Sequence, residues 1–264
     1  VPDDVELLSL AGEAHLRARR YDKAAAYFEK ANTLAPDTAR LHAALGISRL
    51  GTGENSRAID ELERASMLDK STPQVGTMLV LTLLRNKQND KALATVKMLE
   101  QQQKRRNPLL LNLKGGVYMA LRDVPAARAS FEQALGMDPV YLPALNNLAQ
   151  LDLAGKKPEH AKQRFERALA KAPKNADLCA ALAKLAASQG NTDEARRWLE
   201  RAHRDNPDAV APALLLSNFY LQTGAPDKAL ELARTLQSGH PGDADALALR
   251  AQVEGEHQIV EFRV

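Results

Sequence analysis

The sequence predicts an all-α fold, an α-solenoid of about seven helix–turn–helix units followed by a partial unit at the C-terminus. Three observations lead there. Pro139, Pro173, Pro207 and Pro241 stand 34 residues apart; for prolines placed at random at about 5% frequency, three successive hits on one period have a chance on the order of 10⁻⁴. Units counted from Val5, Ala39, Pro73, Pro108, Leu142, Ala176 and Val210 align the chain with a single inserted residue, near Lys104-Arg105-Arg106. In that register position 20 is alanine without exception: Ala24, Ala58, Ala92, Ala127, Ala161, Ala195 and Ala229. A period of 34 residues is the length of two short helices and a turn, a unit that buries its apolar face only by stacking on its neighbours.

Within each unit the first helix carries leucine at position 7 (Leu45, Leu79, Leu148, Leu182, Leu216) and a small residue at position 8 (Gly12, Gly46, Gly115, Ala149, Ala183, Ser217). Glycine in a helix costs about 1 kcal/mol against alanine, so its return at one register implies that a neighbouring backbone needs the space. Breaker and N-cap residues then mark the turn, as in Gly51-Thr-Gly-Glu-Asn55, Asn86-Lys-Gln-Asn-Asp90, Gly155-Lys-Lys-Pro158, Gly190-Asn-Thr-Asp193 and Gly224-Ala-Pro-Asp227. The second helix presents position 20, then Phe28, Leu62, Val96, Phe131, Phe165, Leu199 and Ala233 at position 24, then Ala31, Ala65, Leu99, Ala134, Ala168, Ala202 and Leu236 at position 27. Steps of four and three place these on one helix face. The late proline ends the unit, with Lys70 and Lys104 standing in its place in the second and third. The array is expected over residues 1–254, with the partial unit from 244, and an irregular tail over 255–264. Gln258-Ile-Val-Glu-Phe-Arg-Val264 is β-branched and weakly alternating, which offers either a frayed end or an extended segment docking in another copy.

Composition narrows the function. The longest apolar stretches, such as Met78 to Leu84, fall far short of a membrane span. Cys179 is the only cysteine, which excludes disulfides and thiol-ligated metal within one chain, and it reads as a small core residue. The net charge of +3 is spread over both signs. Lys104-Arg105-Arg106 is the one basic run and makes no continuous stripe, so nucleic acid is not expected as a partner. Gly51-Thr-Gly53 lacks the flanking pattern of a phosphate loop, and the six histidines form no metal-ligand spacing. With no nucleophile–base pair in view, neither an enzyme nor a cofactor is expected. The N-terminus opens on Val-Pro-Asp-Asp within a repeat, and a piece of a longer protein is the expectation. Trp198, at position 23, is expected to pack sideways against a neighbouring unit.

The chain resembles the tetratricopeptide repeat, a pattern of small residues at positions 8, 20 and 27, an aromatic at 24 and proline at 32. Leu111-Asn-Leu-Lys-Gly-Gly-Val-Tyr118 followed by Ala127, Phe131, Ala134 and Pro139 is its fullest match, and the resemblance spans residues 5–254. The family's tryptophan at position 4 is absent throughout. His15 and His42 fall at positions 11 and 4, where the family has aromatic core residues, so packing is their expected role. The resemblance implies a right-handed superhelix whose concave face is built from positions 2, 5, 9, 12 and 13 of the first helices. Along that face the residues run from apolar (Ile47, Met78, Leu81) to amide-rich (Asn112, Asn146, Asn147, Gln150, Asn218), with Arg85 and Lys184 adding charge. The asparagines admit two readings: amides tolerated on an exposed helix face, or amides that donate to and accept from the backbone of an extended peptide. The lysine and asparagine set by which some relatives clamp a terminal carboxylate is not supplied by any three successive units.

A narrower likeness rests on Asn107 through Tyr118, Leu151-Asp-Leu-Ala-Gly-Lys-Lys-Pro-Glu159 and Asn206-Pro-Asp-Ala-Val-Ala-Pro212. These segments are similar to the large repeat lipoproteins of bacterial PEP-CTERM/exosortase sorting and exopolysaccharide systems. That likeness implies an extracytoplasmic, lipid-anchored parent and a scaffolding role in envelope assembly. The expected function is a non-catalytic scaffold whose groove holds a protein or peptide segment. The alternatives are a regulatory or substrate-presenting arm of a larger enzyme, and a structural oligomerisation module.

Overall fold

The computed structural model describes residues 4–70, 73–102 and 107–261. They form fifteen α-helices, with no strand among the described residues. The chain divides into two compact units, one up to Met137 and one from Asp138. The first holds α1 (Val5–Arg17), α2 (Tyr21–Leu34), α3 (Ala39–Thr52), α4 (Asn55–Leu68), α5 (Pro73–Arg85), α6 (Asn89–Gln102), α7 (Pro108–Ala120) and α8 (Val124–Met137). The second holds α9 (Leu142–Ala154), α10 (Pro158–Lys171), α11 (Ala176–Ser188), α12 (Thr192–Asp205), α13 (Val210–Gln222), α14 (Pro226–Gly239) and α15 (Ala244–Glu261). The odd-numbered helices begin at the residues from which the register is counted, and within each unit every helix packs on the next along the chain.

The turn between paired helices is set by backbone geometry more than by residue type. Position 15 takes a left-handed φ in all seven repeats: glycine at Gly53, Gly190 and Gly224, but Arg19, Lys87, Arg122 and Lys156 elsewhere, with φ of 54–62° at these four. One residue later the amide reaches back to the carbonyl of position 11, for example Arg20 N to His15 O at 2.9 Å and Ala225 N to Tyr220 O at 2.8 Å. This six-to-one closure satisfies a carbonyl that the helix end leaves open. Asp4, Asn107 and Asn175 cap the starts of α1, α7 and α11 through their side chains.

The alanine at position 20 is fully buried in every repeat, which lets the paired helices approach. Around it, three further registers are filled in matched pairs. Position 8 faces position 24: a Cβ on Gly12 would meet the Phe28 ring at 2.8 Å, one on Gly46 would meet Leu62 Cγ at 2.9 Å, and one on Gly115 would meet the Phe131 ring at 2.3 Å. The space kept by these glycines is therefore chiefly for a side chain of the partner helix, a correction to the expectation of a neighbouring backbone. Position 4 is matched to position 27. The third repeat, irregular in having Leu99 at 27, has Gly76 at 4, where a Cβ would lie 2.4 Å from that leucine.

Position 11 is matched to position 23, twelve residues on, and here the chemistry changes from repeat to repeat. His15 stacks on Tyr27 at 5.4 Å between ring centroids. Arg49 pairs with Glu61 at 3.0 Å. Asp152, 2% exposed, pairs with Arg164 at 2.6 Å in the opposite polarity. Trp198 packs on a cluster containing Ala183, Ala186 and Leu199 of its own repeat and Leu216 of the next, as expected, with its ring nitrogen donating to Glu194 and Arg201 over its face.

Two further expectations change. His42 is buried, but in a polar network: Nε2 donates to Pro36 O at 2.7 Å and Nδ1 meets Glu61 Oε2 at 2.5 Å, and Arg49 joins Glu61 to Glu29. The C-terminal residues expected to be irregular from 255 continue as α15 through Glu261, because Ala246, Leu249 and Val253 bury one face of the helix against α13 and α14 and propagation carries on past the last contact. Residues 262–264, and the basic run Lys104-Arg105-Arg106, lie outside the described residues.

Gly115→Ala gains about 1 kcal/mol of helix propensity but overpacks the buried Phe131 ring at about 1–3 kcal/mol, so a net loss in urea denaturation is expected. Adding Phe131→Leu, the Ala183/Leu199 combination of the sixth repeat, should restore most of it. Asp152→Ala should destabilise by about 1–3 kcal/mol by orphaning a charge-assisted hydrogen bond, whereas Asp152→Arg with Arg164→Glu recreates the Arg49/Glu61 polarity. Its coupling is read by a double-mutant cycle, and a double variant no more stable than the singles would contradict the pairing.

Candidate functional site

A groove of about 750 Å³ opens in the second unit. Its walls are the successive first helices α9, α11 and α13, with Phe165, Ala195 and Leu199 from the second helices behind them. This follows from the matched registers. Once positions 8, 20, 24 and 27 are buried between paired helices, positions 5, 9 and 12 of each first helix are left on the opposite side. Asn146 and Gln150 come from α9, Lys184 from α11 and Asn218 from α13, so four of the residues singled out in the sequence line one groove.

The others stand apart. Arg85 ends α5 and Asn112 lies on α7, both in the first unit. Asn147, one residue past Asn146, turns away from the groove lining, and both it and the half-buried Asn112 are engaged in contacts of their own. Ser9, at position 5 of the first repeat, is buried, its hydroxyl donating to Val5 O at 2.6 Å. Ile47 is half-buried, Met78 is half-buried against the core of the first unit, and Leu81 is exposed.

The amide groove is more apolar than the sequence suggested. Leu142, Leu153, Leu215 and Phe219 line it beside the amides, with Leu153 and Leu215 38% and 45% exposed. Leu215 and Phe219 sit at positions 6 and 10, registers that the concave-face pattern omits, and Gln222 at position 13 adds an amide. Lys184 and Asp177 are the only charged residues in the lining, on the same helix and seven residues apart, about 10 Å along the axis. Such a surface offers alternating donors and acceptors on an apolar floor, suited to a chain that brings both backbone amides and hydrophobic side chains.

Elsewhere the chemistry is quiet. Cys179 is 1% exposed, and burial pushes its thiol up, away from the thiolate. A smaller depression of about 430 Å³ on α12, α13 and α14 holds Glu200, His203, Tyr220 and Lys228. Burial pushes His203 down, and burial together with the hydrogen bond to Glu200 pushes Tyr220 up. These shifts keep both groups neutral without giving either a reacting partner. Among the described residues no cluster of histidine, cysteine or carboxylate side chains is arranged to hold a metal, and no helix is long and apolar enough to cross a membrane.

Comparison with known proteins agrees with this architecture. One family model, described as tetratricopeptide repeat, matches residues 15–79, 152–211 and 199–253, and a second with the same description matches 77–141 and 112–176. Among solved structures, a tetratricopeptide repeat protein from Parabacteroides merdae is 15% identical with a TM-score of 0.57, over 95% of this chain and 98% of that one. PilW, described as a widely conserved type IV pilus biogenesis factor, is 16% identical with a TM-score of 0.55, over 77% and 94%. A chain of the APC/C hetero-tetramer Cut9-Hcn1 is 16% identical with a TM-score of 0.51, over 95% of this chain, which spans 46% of the length of that one. At these identities the likeness is one of fold. No curated protein matches the sequence. With family models matching the repeats from residue 15 to 253, the chain belongs to the tetratricopeptide repeat family.

Proposed function

We propose that the chain is a protein-binding scaffold that holds an extended segment of a partner protein in the groove of its second unit. The observation that carries this is the convergence of Asn146, Gln150, Lys184 and Asn218, from three successive first helices, on one apolar-floored groove. Amides spaced along such a floor satisfy the backbone of an extended chain whatever its side chains, while Leu153, Leu215 and Phe219 take up apolar ones. Two structural neighbours, one described as a type IV pilus biogenesis factor and one a chain of a hetero-tetramer, support a scaffold reading. The narrower sequence likeness to envelope lipoproteins extends the proposal to an extracytoplasmic partner in protein sorting or exopolysaccharide assembly. That extension rests on the segments around Lys114-Gly-Gly-Val-Tyr118 and Leu151-Asp-Leu-Ala154 alone.

A photo-crosslinking residue at Gln150, compared with one at Arg197 on an exposed second-helix face, identifies the partner segment. Asn146→Ala with Asn218→Ala then removes two amide contacts worth about 0.5–1.5 kcal/mol each, a loss of about 5- to 150-fold in Kd by calorimetry, with unfolding unchanged. Crosslinks from Arg197 but not from Gln150, or an unaltered Kd in the double variant, would reject the groove as the binding site.

A further inference from the structure

Two open charges line the groove, and the helices that form it carry almost no others. α13 has no charged residue, and the one on α9, Asp152, is buried against Arg164. Asp177 and Lys184, both on α11, are exposed, and neither enters an ion pair among the described residues. α11 lies between α9 and α13, and the lining follows it from Asp177 to Ser188, about 16 Å along the axis. Seven residues bring the two charges back to one side of the helix, about 10 Å apart. Between them the lining consists of Ala180, Ala181 and Ala183, which present only methyl groups. The floor of the groove is thus a low alanine strip bounded by opposite charges.

On the reading that this groove is the binding site, we infer that it selects a partner segment in the polyproline II conformation carrying a basic and an acidic residue three apart. The base lies against Asp177 and the acid against Lys184. The interval between the charges fixes the conformation. In a polyproline II helix, residues i and i+3 lie on one side about 9 Å apart, close to the separation of Asp177 and Lys184. A β-strand places same-side residues about 7 or 13 Å apart, and neither matches. Polyproline II also leaves every backbone N–H and C=O unpaired. Those groups are what the amides of Asn146, Gln150 and Asn218, on the two walls, can satisfy. The alanine strip lets a backbone lie close to α11, and about five residues span its length. A ligand that displaces water from the strip strengthens the pull of both charges on it. Either chain direction meets them, so the two charges can occur in either order along the segment.

The test is selection of random dodecapeptides displayed on phage against the full chain, followed by calorimetry with synthetic peptides of the enriched sequences. The expected result is enrichment of lysine or arginine and aspartate or glutamate three residues apart, in either order. Lys184→Glu makes both ends of the strip acidic. It should weaken the mixed-charge peptide by about fivefold and favour a doubly basic counterpart. Asp177→Lys makes both ends basic and should favour a doubly acidic one. Both positions are exposed, so the helical circular dichroism should be unchanged. Enriched peptides whose charges stand two, four or seven residues apart, or whose affinity ignores both charge variants, overturn the inference. If such peptides still weaken with Asn146→Ala and Asn218→Ala, the groove stands as the binding site and only its charge selection falls. Peptides indifferent to that double variant overturn both. A library that enriches nothing overturns the charge selection, and crosslinking from Gln150 then decides the groove.

Discussion

The whole architecture depends on how closely two short helices within one repeat can approach. A buried alanine at position 20 sets that distance, and everything around it must then fit a fixed gap. The fit is achieved by dividing volume between partners. Gly12 and Gly115 leave room for phenylalanine rings, while Ser217 at the same register is matched by Ala233. In the third repeat Gly76 takes on this role one turn earlier and admits Leu99. No single residue type is required at these positions except the alanine. What is required is that the sum across the gap be kept, because overpacking and cavities are each costly in a dense interior.

The pair at positions 11 and 23 shows the same constraint met by different chemistry. An aromatic stack, two ion pairs of opposite polarity and a tryptophan over alanine all span the same two backbones. Charged pairs of this kind stabilise little compared with a well-packed apolar pair. Their consequence is individuality: Arg49 and Glu61 tie the second repeat to Glu29 of the first, and Glu61 also holds His42. A network that reaches across a repeat boundary makes that boundary differ from its neighbours, and in an array stabilised by nearest-neighbour contacts this opposes slippage by one repeat.

These features were unequally legible in the sequence. The helix pairs were plain, because alanine at one register seven times over is a statement about distance that composition alone does not produce. The compensation at Gly76 and Leu99 was hidden, since each residue read singly is a departure from the pattern and only their contact makes them one feature. The left-handed residue at position 15 was visible at Gly53, Gly190 and Gly224 but not at Arg19, Lys87, Arg122 or Lys156, where backbone closure onto position 11 imposes a conformation that the side chain does not favour. The end of α15 was misjudged because β-branched residues weaken helix propensity only by tenths of a kcal/mol, less than the packing of Ala246, Leu249 and Val253 supplies upstream.

The candidate groove was half legible, and the reason is the same asymmetry between buried and open registers. Buried positions are constrained by a partner and so repeat along the chain. Open positions answer to whatever they meet, so they vary and leave no period to read. Asn146, Gln150, Lys184 and Asn218 could be placed on one wall from register alone, yet Leu215 and Phe219 escaped notice because leucine and phenylalanine in a helix are first read as core. Exposed leucine at an unburied register is the signal that separates the two cases.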